Sequence, residues 1–181
     1  MFRRFRNPGQ NAAPLGPAQL QAMNQANQLV ASGQPILAAP IFAQLASNME
    51  TSNHPRRAAN LHAQAAHAYA DGLDEQDALA QARRALSLFI QYQMVNRTPV
   101  FYANITRKLN NKGMKNSVEA LAKEFGPVVG GMPVPAPTAN PRGSLPTTCP
   151  KCGAPLRASE AIWIDTNTAE CEYCGASIRA T

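Results

Sequence analysis

Between residues 18 and 126 the apolar positions recur at steps of three, four and seven, and the whole pattern recurs at a step of forty. Leu29, Tyr69 and Leu109 superimpose at that step, as do Ala26, Ala66 and Thr106. Ala38, Ala78 and Val118 form a third set, Phe42, Ala82 and Ala122 a fourth, and Leu45, Ala85 and Phe125 a fifth. Steps of three, four and seven lay one apolar stripe along a helix. The spacing therefore predicts three units of two helices: near 18–31 with 35–49, near 54–71 with 74–94, and near 98–111 with 114–125. The punctuation agrees. Gly33 and Gly113 suit the left-handed residue that closes a helix, and Leu73, beside Gly72, stands midway between them. Pro35, Pro55 and Pro99 suit first turns, and Asp74 and Thr98 suit N-caps. Pro40 predicts a kink or a later start in the second helix.

The pattern changes after residue 126. Pro127, Pro133, Pro135, Pro137, Pro141 and Pro146, with Gly130 and Gly131 among them, predict a Pro/Gly-rich linker over 127–147. Such a segment breaks helices, is extended, and leaves the module beyond it to move independently. Its Pro-x-Pro-x-Pro run at 133–137 is short and has no flanking basic residue, so it reads as a spacer rather than a polyproline ligand. Beyond it, 161–165 reads as a strand, 166–168 as its turn, 169–171 as the return and 176–179 as a further short strand. At the other end, residues 1–17 carry Arg, Asn, Gln, Pro and Gly and read as a disordered basic arm.

The helical units resemble the tetratricopeptide repeat family. The resemblance covers residues 18–126 in three units. It rests on a small residue followed three later by a large one in each first helix: Ala26/Leu29, Ala66/Tyr69 and Thr106/Leu109. The glycine between helices and the sets Ala38/Phe42/Leu45, Ala78/Ala82/Ala85 and Val118/Ala122/Phe125 complete it. The chain departs from the family in its period of forty, against about 34 there, and in having no Trp early in any unit. The resemblance implies a solenoid whose first helices line a concave face. Asn27, His67 and Arg107 then share one register on that face, with Asn60, Asn110 and Asn111 nearby. Amides and a basic side chain there suit a peptide backbone or a carboxylate. The carboxylate clamp best known in the family is matched only at Asn27, so peptide binding is implied without that clamp.

Candidate chemistry lies at the other end of the chain. The four cysteines are Cys149, Cys152, Cys171 and Cys174, two Cys-x-x-Cys pairs separated by eighteen residues. Zinc takes four soft ligands in a tetrahedron, and pairs at this spacing supply them from two turns. Gly153 and Gly175 follow each pair, where the turn needs a left-handed residue. Residues 148–181 resemble a zinc ribbon, a small β module folded by one structural zinc ion. Four cysteine ligands close that ion to substrate. Trp163 is the module's candidate contact residue, or else its core. His54, His62 and His67 supply no second metal site: His62 and His67 stand five apart, roughly 140° off a common helix face, and read as structural or surface residues.

Composition fits this picture. Hydrophobic residues make up 45% of the chain, many of them alanine, and aromatics 6%, which favours close-packed helices. A net charge of +6 points to acidic partners until its distribution is read. Arg3, Arg4 and Arg6 supply half of the excess, no basic stripe exists elsewhere, and four thiolates on a divalent ion subtract two more charges. Nucleic acid is therefore not the default partner. No run of about 18 apolar residues predicts a transmembrane helix. The start is not patterned as a secretory signal, and paired cysteines without one read as metal ligands in a reducing, cytoplasmic setting. There is no Gly-rich phosphate loop, and no Ser/His/Asp arrangement can be assembled. The expected fold is mainly α, a helical-hairpin repeat array plus a small β zinc ribbon. The expected role is a non-enzymatic protein–protein interaction adaptor. The alternative is a nucleic-acid-associated factor whose ribbon and Arg-rich arm contact RNA or DNA.

Overall fold

The computed structural model describes residues 15–132, 144–157, 161–163 and 167–181. Most of the expected arm and the whole Pro-x-Pro-x-Pro run lie outside the described residues. Six helices come first: α1 (Pro17–Ala31), α2 (Pro35–Thr51), α3 (Pro55–Asp71), α4 (Glu75–Gln91), α5 (Thr98–Asn111) and α6 (Lys115–Gly130). Three short strands come after them, β1 (Ile162–Trp163), β2 (Thr168–Glu170) and β3 (Ser177–Arg179), in one antiparallel sheet of order β1-β2-β3.

One turn, used five times, joins the helices. A left-handed residue falls at Gly33 (φ 76°), Asn53 (59°), Leu73 (64°), Gln93 (52°) and Gly113 (81°), every twenty residues. At the first of these, Gly33 N–H donates to the Val30 carbonyl (3.1 Å) and Gln34 N–H to that of Leu29 (2.8 Å). The same two bonds recur at the other four turns. This is the paired 5→2 and 6→1 closure of a helix C-terminus. The forty-residue step in the sequence is thus two of these turns. Gly72, one residue off the register, serves packing instead. A Cβ there would lie 2.7 Å from Ile36 Cδ1 and 3.1 Å from Ile36 Cα.

Helix starts track the prolines, with Pro17, Pro35 and Pro55 at the first position. Asp74 caps α4 as expected, its side chain accepting from Asp77 N–H (3.1 Å). Thr98 does not cap α5. Arg97 holds that position, and Thr98 is buried inside the helix with its hydroxyl donating to the Met94 carbonyl (3.1 Å). Neither inner proline interrupts its helix. Pro40 stands inside an unbroken α2, exposed and close to its start, where the missing N–H removes a single intrahelical bond. Pro127 stands inside α6, which continues to Gly130, four residues into the segment expected to break helices. There its missing N–H leaves the Lys123 carbonyl without an intrahelical bond, and the helix ends three residues later.

The helices pack in sequence order, with added contacts of α3 on α5 and α4 on α6. α3 is the centre. It buries Ala58, Ala59, Ala63, Ala65, Ala66, Ala68 and Ala70, small side chains that let α2, α4 and α5 approach from several sides. Of the repeated sets, Ala26, Ala38, Phe42, Leu45, Ala66, Ala78, Ala82, Ala85 and Leu109 are buried. Ala122 is exposed, because α6 is the last helix and has none after it to cover that face.

The segment after the helices returns to them. Ser144 and Thr181 exchange two backbone hydrogen bonds (2.9 and 3.0 Å), so the cysteine module closes on itself from residue 144. Leu15, just before α1, donates its N–H to the Cys174 carbonyl (3.0 Å). The expectation of an independently moving module is corrected here, because its cysteine turns are seated on the helices.

Candidate metal centre and the face it docks on

Two turns of the same build bring the cysteines together. In the first, Cys149 N–H donates to the Ala154 carbonyl (2.8 Å) and Gly153 N–H to the Cys149 carbonyl (2.9 Å). In the second, Cys171 N–H donates to the Ala176 carbonyl (2.8 Å) and Gly175 N–H to the Cys171 carbonyl (2.8 Å). Gly153 (φ 72°) and Gly175 (φ 74°) take the left-handed conformation that lets each turn close. All four sulfur atoms are buried and lie within 4.8 Å of one another. Cys149 and Cys174 Sγ are 3.7 Å apart, Cys152 and Cys171 Sγ 3.8 Å. These are not disulfides, whose sulfurs stand about 2.05 Å apart. They fit a metal tetrahedron: thiolates about 2.3 Å from zinc have edges of about 3.8 Å.

The thiols titrate as one cluster. Hydrogen bonds from Cys152, then Cys171 and Cys174, hold Cys149 far below the usual thiol range. Hydrogen bonding with Cys149 pushes Cys152 and Cys171 far above it. A divalent cation held by the four thiols would resolve the competition, because it would stabilise all of them as thiolates. Cys149, Cys152, Cys171 and Cys174 can thus hold one metal ion, whose contribution would be a cross-link between the two turns.

The centre sits against α1, α3 and the start of α5. Asn27 Nδ2 donates to the Cys152 carbonyl (2.7 Å) and Asn24 Nδ2 to that of Lys151 (3.0 Å). Asn60 Nδ2 reaches the Glu172 carbonyl (3.5 Å). Arg57 pairs with Glu170 (3.1 Å) and Arg97 with Glu172, and all four side chains are largely buried. Arg97 also donates to Asn60 Oδ1. Arg57 lies directly over Gly175, where any Cβ would collide with the guanidinium. Buried pairs of this kind are costly to break from one side, because the remaining charge is stranded.

The residues expected to face a partner therefore divide. Asn27 and Asn60 hold the chain's own cysteine turns. His67, Arg107 and Asn111 line a 570 Å³ cleft beside them. Asn110 is exposed outside that cleft. Trp163 is half-buried on β1, paired with Ala169 and in line with Ile178, on the sheet face whose other two members are buried. His62 is buried between Gln81 (2.6 Å) and Glu50 (2.7 Å), and His54 occupies the N-cap position of α3, so neither approaches the cysteines.

Arg57, Arg97, Glu170 and Glu172 belong to the site but did not stand out in the sequence. A signal existed: Arg57 and Arg97 stand forty apart, in the repeat register, and the glutamates stand two apart on the module. Among the described residues no helix is long and apolar enough to cross a membrane. Comparison with protein-family models, with curated proteins and with solved structures returns no match.

Proposed function

We propose that this protein is a non-enzymatic adaptor. In this reading it is a tetratricopeptide-like array of three helical hairpins that clamps its own zinc ribbon on the face of its first helices and binds protein or peptide partners in the cytoplasm. One observation carries the reading: Asn27 and Asn60 of the helices hold main-chain carbonyls of Cys152 and Glu172, at 2.7 and 3.5 Å. A helical face that satisfies main-chain groups of another segment has the chemistry of peptide recognition. The cysteine set supports the non-enzymatic half of the reading, since four protein ligands leave zinc no open position for water or substrate.

The test is affinity capture with the full zinc-loaded chain, followed by washes of rising salt. Retention of protein and not of nucleic acid is the expected result. Retention of RNA or DNA that salt removes steeply would favour a nucleic-acid-associated role instead. Native mass spectrometry of the same sample should show one zinc ion per chain, and a metal-free folded chain would end the ribbon reading.

A further inference from the structure

We propose that the cleft between α3, α5 and the cysteine module binds an acidic peptide segment. This rests on the adaptor reading and gives it one surface and one partner chemistry. The cleft has a volume of 570 Å³ and is walled by the later halves of α3 and α5, with Val30 of α1 and Arg157 of the module closing its ends. Among the described residues, Arg107, Lys108 and Lys112 line it against the carboxylate of Asp71. Lys108 pairs with Asp71, and Lys112 stands 4.0 Å from it. Arg107 is exposed and donates to Asn104 Oδ1 (2.9 Å). One acid cannot neutralise this set of cations, so the cleft attracts negative charge.

The amides in the cleft select a peptide among anions. The amides of Gln64, Asn104 and Asn111 line the same cleft and can both donate to and accept from a main chain. Carboxylates spaced along an extended chain each meet one cation.

The probe is fluorescein-labelled hexaglutamate, followed by fluorescence anisotropy against the full zinc-loaded chain at low salt. Binding is expected, and the double variant Arg107→Gln/Lys112→Gln should weaken it about tenfold, as loss of two interfacial cations does. Lys115→Gln/Lys123→Gln, which removes two exposed charges from α6, should leave it unchanged. Asp71→Asn should tighten it, since the competing carboxylate is gone. The proposal is overturned if hexaglutamate does not bind, if both double variants weaken it equally, or if an oligothymidylate of equal charge binds more tightly. A captured protein partner that survives Arg107→Gln/Lys112→Gln would leave the adaptor reading standing and remove this cleft from it.

Discussion

His67 shows how one side chain can be read twice. In sequence it shares a register with Asn27 and Arg107, which suggests a ligand-facing position. In the fold it is wedged edge-on against Phe101, ring centroids 5.4 Å apart, with its Nδ1 buried. Burial, then the nearby Lys108 cation, lowers its pKa from 6.5 to about 4. Above pH 6.5 both folded and unfolded chains carry it neutral, and it does not affect stability. As pH falls toward 4 the unfolded chain takes up a proton that the fold refuses, so stability falls. From about pH 7 to about pH 5 the wild type should lose about 2 kcal/mol more than His67→Leu, at 1.36 kcal/mol per pKa unit, and less once solvent screening is included. Urea unfolding at both pH values measures it. Equal losses in the two proteins would show that His67 is protonated as readily in the fold as outside it.

At the scale of the element, the turn is the repeated unit, and Leu73 is its strained member. Asn53 and Gln93 are also non-glycine residues in the left-handed region, but Leu73 adds an exposed apolar side chain there, 65% accessible. A left-handed non-glycine residue costs about 1–2 kcal/mol. Leu73→Gly would relieve that cost and lose little packing, against the greater chain entropy glycine brings to the unfolded state. The expected result is a net gain of about 0.5 kcal/mol in chemical denaturation, while Gly33→Leu, at the equivalent turn, should destabilise. A loss of stability in Leu73→Gly would mean that the side chain makes contacts worth more than the strain. The turns also explain what was legible in the sequence. Helix number and limits come from apolar steps and proline starts, both local signals. The twenty-residue turn was half hidden, because only Gly33 and Gly113 advertise the conformation that Asn53, Leu73 and Gln93 also adopt. Pro40 and Pro127 misled for a related reason: their residue type announces a break, but α2 and α6 both run on through them. The four-cysteine cluster was legible because a metal tetrahedron would constrain residue type and spacing together. The docking of the module was not, since Arg57–Glu170 and Arg97–Glu172 pair residues more than seventy positions apart, and no local pattern links them.

For the whole molecule, the consequence is that the cysteine module and the helices share contacts, so a metal held by the module would be energetically joined to the helices. A ribbon on a Pro/Gly-rich tether would unfold alone, and the helices would be indifferent to it. Here the cysteine turns present the carbonyls of Lys151, Cys152 and Glu172 to Asn24, Asn27 and Asn60, and that presentation depends on a folded centre. Cys171→Ser would remove one of the four candidate ligands, and a module this small folded around a metal would not hold its fold without it. Arg57 and Arg97 then lose Glu170 and Glu172, and their positive charges stand near each other on α3 and beside α5 without the acids between them. The helices should persist, because their core of Ala, Leu, Met and Phe side chains is largely their own. They should nonetheless melt earlier. A loss of about 1–2 kcal/mol corresponds to roughly 2–8 °C in a chain of this size. Circular dichroism at a helical wavelength would therefore show nearly unchanged signal at low temperature and a lower midpoint on heating, in Cys171→Ser and in wild type stripped by a chelator alike. Arg57→Gln/Arg97→Gln, which keeps every ligand, should give a smaller shift in the same direction while zinc remains bound. An unchanged helical midpoint in all three would mean that the contacts between module and helices carry no net stability, and that the ribbon rides on the array without supporting it.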